Sequence, residues 1–345
     1  MTGARSSLRG ARAFAGLVAS ALVRRPDEAV LGIIGGSQFA MPPRVFVMRR
    51  ARHCALPRHH VQSLSRRGRG RLPREFVLVT RHEGRERQAL VHLPPGCESM
   101  STLPLIFNFH GFTSDAQEHS EYTQMHRIAA RYGCAVVHPQ GVHCLLGFRA
   151  WNAGKFFADA TDATIDDVGF VRILMDELAS ILPVRDWFAT GLSNGGMFAY
   201  RLAHALPGRF SAIAPVAAVD LTDEPIPPET LGVFHVHGIK DGLMPYQEWP
   251  FRVGSFVGGF GWTRSARQSV VRFARGTGAA APEARSVAGR RYEVWRGPRH
   301  AVQLVVHEGG HTWLGDGFCI ARRNEAAVAA GSVEIVQFLL DHAKR

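Results

Sequence analysis

An apolar run at 187–190 passes through Gly191-Leu192-Ser193-Asn194-Gly195-Gly196 straight into a helical pattern at 195–205. Few architectures accept a strand, a glycine-rich reversal and a helix in that order. The glycines let the backbone turn without a Cβ clash, and Gly196 leaves room for helix and strand to pack closely. The flanking sequence repeats the alternation. Runs at 105–109, 135–138, 212–216, 233–236 and 302–306 are largely apolar, as expected of strands covered on both faces. Segments 76–80 and 89–93 flank the turn Glu83-Gly84 and predict an antiparallel pair at a sheet edge. A further strand is expected at 292–295. Helices are expected at 121–132 (stopped by Gly133), from Asp166-Asp167 onward, at 268–275 and at 333–343. The expected fold class is therefore α/β: a mostly parallel central sheet, helices on both faces, and one catalytic domain over 73–345. Sheets of this kind bind ligands beyond the carboxyl ends of their strands.

Residues 1–72 are composed differently. They hold fourteen arginines, no lysine, and only Asp27 and Glu28 as acids, so this segment carries the whole formal charge of +12. The remainder is close to neutral. The excess is a tail and not a folded face, and no recognition module accompanies it, which argues against nucleic acid as a partner. Arg5, Arg9 and Arg12 precede an apolar stretch at 13–23 with small residues at Ala19 and Ala21, a pattern similar to a secretory signal. Arg24-Arg25 follow that stretch, out of place for twin-arginine export. An organelle transit peptide and a misplaced start codon are the competing readings. Nothing between Arg44 and Arg74 has the periodicity of a stable element, and 65–71 reads as a solvated linker. No apolar run reaches the roughly 18 residues of a membrane-spanning helix. Five cysteines (Cys54, Cys97, Cys134, Cys144 and Cys319) form no CxxC pair. Two disulfides in an oxidising compartment and free thiols in a reducing one remain equally open.

The chemistry concentrates at three predicted strand ends. A serine hydroxyl becomes a competent nucleophile only when exposed beside a base, and a G-x-S-x-G turn between strand and helix supplies the exposure to Ser193. Asp241, in His237-Gly238-Ile239-Lys240-Asp241 after the 233–236 strand, can accept from an imidazole Nδ1–H and fix its tautomer. Asp220 and Asp223 are its rivals, but they follow an earlier strand. His311, in Gly309-Gly310-His311-Thr312-Trp313 after the 302–306 strand, is the expected base, with His307 as its rival. His235 and His237 read as strand residues. An oxyanion needs two backbone N–H donors: Asn194 follows the nucleophile, and Phe112 lies in the loop His110-Gly111-Phe112-Thr113 after the 105–109 strand. Trp151 and Trp313 are candidates to line a substrate pocket, and each reads equally well as packing. This chemistry calls for no metal and no organic cofactor.

Six segments together resemble the polyhydroxybutyrate depolymerase-type esterases, which are similar to bacterial feruloyl and acetylxylan esterases. They are Asn108–Gly111, Trp151–Gly154, Asp166–Phe170, Ala189–Met197, His237–Asp241 and Gly310–Trp313. The likeness runs in order over about residues 75–343. It implies an α/β-hydrolase fold and a Ser193, His311 and Asp241 triad. It also implies an ester substrate: a hydroxyalkanoate, or a feruloyl or acetyl group on plant polysaccharide. Relatives often carry cysteines just after Trp-Asn-Ala-Gly; here Lys155-Phe156-Phe157 stand in that place. An acyltransferase and a serine peptidase on the same fold are the alternative functions, and secretion is the expected location.

Overall fold

The computed structural model describes residues 56–65, 72–143, 148–154, 164–226, 231–241, 244, 246–247, 264–298, 300–314 and 325–344. In chain order the elements are β1 (Arg58–His59), α1 (Val61–Ser65), β2 (Glu75–His82), β3 (Arg85–His92), β4 (Leu103–Phe109), α2 (Ala116–Thr123), α3 (Met125–Ala130), β5 (Ala135–Pro139), β6 (Val142–His143), β7 (Arg149–Ala150), α4 (Asp167–Ile181), β8 (Val184–Leu192), α5 (Asn194–Ala205), β9 (Ala212–Val216), β10 (Gly232–Gly238), α6 (Ala266–Arg275), β11 (Glu283–Val287), β12 (Arg290–Arg296), β13 (Ala301–His307) and α7 (Glu325–Asp341).

Eleven strands form one sheet in the order β1-β2-β3-β5-β4-β8-β9-β10-β13-β12-β11, while β6 and β7 make a separate small ribbon. From β5 to β13 every neighbouring pair is parallel. The hairpins β2–β3 and β11–β12 close the two sides antiparallel. Successive side chains of a strand point to opposite faces, so the interior strands feed two cores. Phe107, Phe109, Ala189, Ile213 and Val233 pack with α4, α5 and α6 on one face. Ile106, Phe188, Ala214, Phe234 and Val236 pack with α3 and α7 on the other. This is the expected α/β arrangement. The chain runs from β4 outward to β5, then returns to the other side of β4 to make β8. The strand order reverses between β4 and β8, the place beyond whose strand ends sheets of this kind bind ligands.

Four expectations are corrected. Residues 58–65 are structured: β1 pairs parallel with β2, and Leu64 of α1 is fully buried in the α4-side core. One apolar anchor and a two-residue strand leave no periodicity to read. The helix expected over 121–132 begins at Ala116, where Asp115 caps it by accepting from the Glu118 N–H at 2.8 Å. It breaks at Gln124, which is left-handed (φ 50°). The Thr123 hydroxyl donates to the His119 carbonyl at 2.9 Å, a local bond that competes with continued helix. α7 starts eight residues before the expected 333, because Gly331 does not end it; a Cβ there would fall 2.0 Å from Leu314 Cδ1, so the glycine is a packing contact. β11 is exposed along its whole length and offers no apolar signal.

Residues 1–55 and 66–71 of the expected leader at 1–72, with Cys54, lie outside the described residues, as do Cys144, Cys319 and Lys155-Phe156-Phe157. Cys97 and Cys134 are buried free thiols. No helix among the described residues is long and apolar enough to cross a membrane.

Candidate active site

Ser193 stands where β8 gives way to α5, at the strand-order reversal. Its backbone is held at φ 55°, ψ −120°, a region that non-glycine residues rarely adopt at a cost of about 1–3 kcal/mol. The surrounding backbone imposes this conformation. Ser193 N–H donates to the Val216 carbonyl at 2.9 Å, and its own carbonyl accepts from Met197 N–H at 2.9 Å. A Cβ on Gly195 would lie 2.2 Å from the Phe109 carbonyl oxygen, and one on Gly191 would lie 2.6 Å from Gly195 C. Strand β4, strand β8 and helix α5 therefore meet as bare backbone, and only glycine fits at their junction.

The loop after β4 lies against this turn. A Cβ built on Gly111 would come 3.7 Å from Ser193 Cβ. His110, fully buried, holds the loop from beneath. Its Nδ1–H donates to the Gly111 carbonyl at 2.8 Å and its Nε2 accepts from Gly141 N–H at 3.0 Å, which fixes the neutral tautomer. Burial, first of all, pushes the His110 pKa down to about 4. Phe112 is partly buried and meets Phe148 edge-on at 5.7 Å. Asn194 is the first residue of α5, where a backbone N–H has no acceptor within its own helix.

A polar lattice on the α4 side braces the turn. Asn194 Oδ1 accepts from Trp151 N–H at 2.7 Å, and its Nδ2 donates to the Trp151 carbonyl at 3.0 Å. Asp167, buried inside α4, accepts from Arg87 at 2.7 Å and from Asn152 N–H at 2.8 Å. Burial raises the Asp167 pKa, and the Arg87 charge works against that rise. Arg201 donates to both the carbonyl and the side chain of Asn152. The motifs around Trp151, Asp166 and Ser193, far apart in sequence, are one hydrogen-bonded unit.

The expected acid and base lie on the other side of the sheet's midline. Asp241 follows β10 and His311 follows β13; these strands are parallel neighbours, with their ends at the same sheet edge as Ser193. His311 Nδ1 meets Asp241 Oδ2 at 2.8 Å. The carboxylate accepts, so Nδ1 carries the proton of that bond. Asp241 Oδ1 accepts from Met244 N–H at 2.8 Å. Burial alone would raise the Asp241 carboxyl. The hydrogen bond and charge of His311, then His237 and the Met244 N–H, outweigh it and hold the group below its ordinary value.

Sequence reading missed what stands behind this acid. His237 Nε2 donates to the Met244 carbonyl at 2.9 Å and lies 3.5 Å from Asp241 Oδ2. Its Nδ1 must then accept, which requires His235 Nε2 to donate at 3.1 Å. His235 Nδ1 in turn accepts from the Tyr200 hydroxyl at 2.9 Å. Burial holds both imidazoles neutral by lowering their pKa values. The i, i+2 spacing of two histidines on an apolar strand was the available signal: both fall on one face.

The rivals are occupied elsewhere. Asp220 is buried against Arg272 and accepts from Thr222, and Asp223 pairs with Arg264 at 2.7 Å. His307 Nδ1 accepts from Gly309 N–H at 3.0 Å, and burial pushes its pKa to about 4. The pocket-lining expectation for the two tryptophans is corrected by their burial. Both are fully buried; Trp151 Nε1–H donates to the His110 carbonyl at 3.0 Å and Trp313 Nε1–H to Ser332 Oγ at 2.9 Å. Each braces a loop and offers no face to a ligand.

Comparison with known proteins agrees with this architecture. The family model described as "Esterase PHB depolymerase" matches residues 88–224. NocK of Nocardia uniformis subsp. tsuyamanensis, a protein named only provisionally as an esterase, is 28% identical over 267 residues, covering 71% of this chain and 74% of its own. The bifunctional acetylxylan esterase/xylanase XynS20E of Neocallimastix patriciarum is 24% identical over 170 residues; the match takes in 49% of this chain but only 23% of that longer protein. Among solved structures, an acetyl xylan esterase from Aspergillus awamori superposes with a TM-score of 0.50 at 13% identity, over 71% of this chain and 94% of its own. The native form of pOPH gives 0.50 at 15% identity, over 80% and 89%. The chain has the α/β-hydrolase fold of these proteins, and over residues 88–224 it is similar to the polyhydroxybutyrate depolymerase-type esterases.

Proposed function

We propose that Ser193, His311 and Asp241 form the catalytic triad, and that the enzyme turns over esters through an acyl-enzyme. Ser193 Oγ attacks the ester carbonyl while His311 Nε2 takes its proton. The C–O bond to the alcohol breaks as His311 returns that proton to the leaving oxygen. Water, deprotonated by the same imidazole, then releases the acid and regenerates the serine. Asp241 orients the ring and stabilises the imidazolium. The N–H groups of Phe112 and Asn194 stabilise the tetrahedral oxyanion, each worth about 3–4 kcal/mol at such sites. The observation that carries this reading is the 2.8 Å bond from His311 Nδ1 to Asp241, at the sheet edge that presents the strained Ser193. His235 and His237 are positioning residues that hold the acid.

The proposed substrates are short hydroxyalkanoate esters, or feruloyl and acetyl esters of plant polysaccharide. Two similarities support this class: the family model matching 88–224 and the acetylxylan esterase relatives. Residues 1–55 are proposed to form a leader that directs export, and N-terminal sequencing of the mature protein tests it. For the chemistry, p-nitrophenyl acetate and butyrate turnover should fall about 10⁴-fold or more in Ser193→Ala. Equal rates in the two proteins would remove Ser193 from the mechanism. Methyl ferulate, acetylated xylan and hydroxybutyrate oligomers, assayed in parallel, rank the acyl groups.

A further inference from the structure

Away from the ester site, three histidines from separate elements converge on the α3 face of the sheet. His92 ends β3, His138 lies on β5, and His126 lies in α3. The register pairs Leu90 with His138 and His92 with Val136, which makes the two strand histidines diagonal neighbours on one face. One ligand atom from each of the three lies within 4.8 Å of the others. We propose that His92, His126 and His138 bind a divalent transition metal of the zinc class.

Three observations carry this. First, His138 is fully buried and neither ring nitrogen has a partner at hydrogen-bond geometry, although the Asn108 backbone lies close enough to act on it. A neutral imidazole always has a donor and an acceptor to satisfy, and an apolar strand has no need of one. Second, the Glu75 carboxylate lies 3.3 Å from His92 Nδ1 and can only accept, so Nδ1 holds the proton and Nε2 offers its lone pair. A carboxylate behind a histidine is the usual way a metal ligand is oriented. Third, His92 Nε2 and His126 Nδ1 both converge on one hydroxyl, Ser120 Oγ, at 3.3 and 3.0 Å.

The donor set selects the metal. Three imidazole nitrogens suit zinc, cobalt, nickel or copper, and not the oxygen-seeking calcium or magnesium. Nitrogens of a tetrahedral zinc stand about 3.3–3.4 Å apart, given Zn–N bonds of about 2.0–2.1 Å. Loading must therefore draw the rings together and turn His126 out of its stack on His92, where the ring centroids are 4.2 Å apart. His126 is only partly buried and marks the entry side. The metal would tie β3, β5 and α3 together and take no part in the ester chemistry.

The test uses the full chain, stripped with chelator and titrated with Co²⁺ and then Zn²⁺. One equivalent of Co²⁺ should give ligand-field absorption bands that Zn²⁺ bleaches. Zinc at about 100-fold above its Kd should raise Tm by about 5–10 °C. His126→Ala and His138→Val should each abolish the bands while far-ultraviolet circular dichroism stays native, and Glu75→Gln should weaken binding about 10-fold or more. His82→Ala, in the separate His82, Glu83 and Asp166 group, should leave the bands intact. Absence of the bands in the native chain would overturn the proposal. So would their survival in folded His126→Ala or His138→Val, or their loss in His82→Ala alone. Because the readouts are spectral and thermal, failure here leaves the ester mechanism untouched.

Discussion

The two sides of the candidate site are built by different means. On the nucleophile side, geometry is set by backbone against backbone: Gly191 and Gly195 sit where any Cβ would strike Phe109, and Ser193 is strained because its neighbours leave it no alternative. On the acid–base side, geometry is set largely by side chains: hydrogen bonds join Tyr200, His235 and His237, the Met244 backbone links His237 to Asp241, and Asp241 bonds His311. The first construction is rigid and specified within one hexapeptide. The second is assembled from strand ends 70 residues apart, His311 being that far from Asp241. The family model covers 88–224, which includes the elbow and stops before Asp241. A strained turn leaves a compact sequence signature, whereas a hydrogen-bonded relay spreads over positions that individually look ordinary.

This contrast is open to attack by substitution. The largest effect is expected from Gly195→Ala, whose Cβ would collide with main chain that cannot yield. Loss of about 4–5 kcal/mol or more of stability, together with activity, should appear in denaturant melts. Next comes Asp241→Asn. It should cut kcat about 10³–10⁴-fold with Tm nearly unchanged, because it disturbs a tautomer and not a fold. If both substitutions cost stability equally, the contrast fails. Asp167→Asn should destabilise by about 3–5 kcal/mol by leaving buried Arg87 without its charge partner, measured by urea unfolding. Acid should loosen both sides. His110 on the nucleophile side and His307 on the acid–base side are held at about 4, whereas in the unfolded chain they titrate at ~6.5. Between those values the unfolded chain binds more protons, so stability falls as pH drops from ~6.5 towards 4 and is flat with respect to these groups above ~6.5. Melts from neutral to acid pH check the sign. The smallest effect is expected from Trp151→Phe, which removes one N–H bond to the His110 carbonyl for about 1 kcal/mol.

The parallel core of the sheet was legible because β5, β9 and β10 are buried along their whole length and read as apolar runs. Ser193, Asp241 and His311, the proposed triad, were chosen from position at strand ends, without any periodicity. Burial, by contrast, is not written in residue type. Trp151 and Trp313 look the same in sequence whether they line a pocket or fill a core, and contacts from Asn194 and Ser332 decided the matter. The break at Gln124 is one residue in the left-handed region inside a helical run, a choice that helix propensity does not register. His235 and His237 were read as strand residues, which they are; their roles came only from tautomers fixed by the Met244 carbonyl.

The helix break at Gln124 has a consequence for how the enzyme matures. It leaves the Thr123 carbonyl to accept from Ser332 of α7 at 2.8 Å, and Ser332 in turn receives the indole N–H of Trp313, two residues beyond His311. Tyr122 reaches the same loop, its hydroxyl accepting from Trp313 N–H at 3.1 Å. The base-bearing loop is thus pinned between an early helix pair and a late one. A nascent chain halted before residue 332 would already carry all three residues of the proposed triad and the Tyr122 bond to the loop, yet lack the Ser332 bond that completes the anchorage. The loop would gain its full set of hydrogen bonds only after that serine emerged and docked.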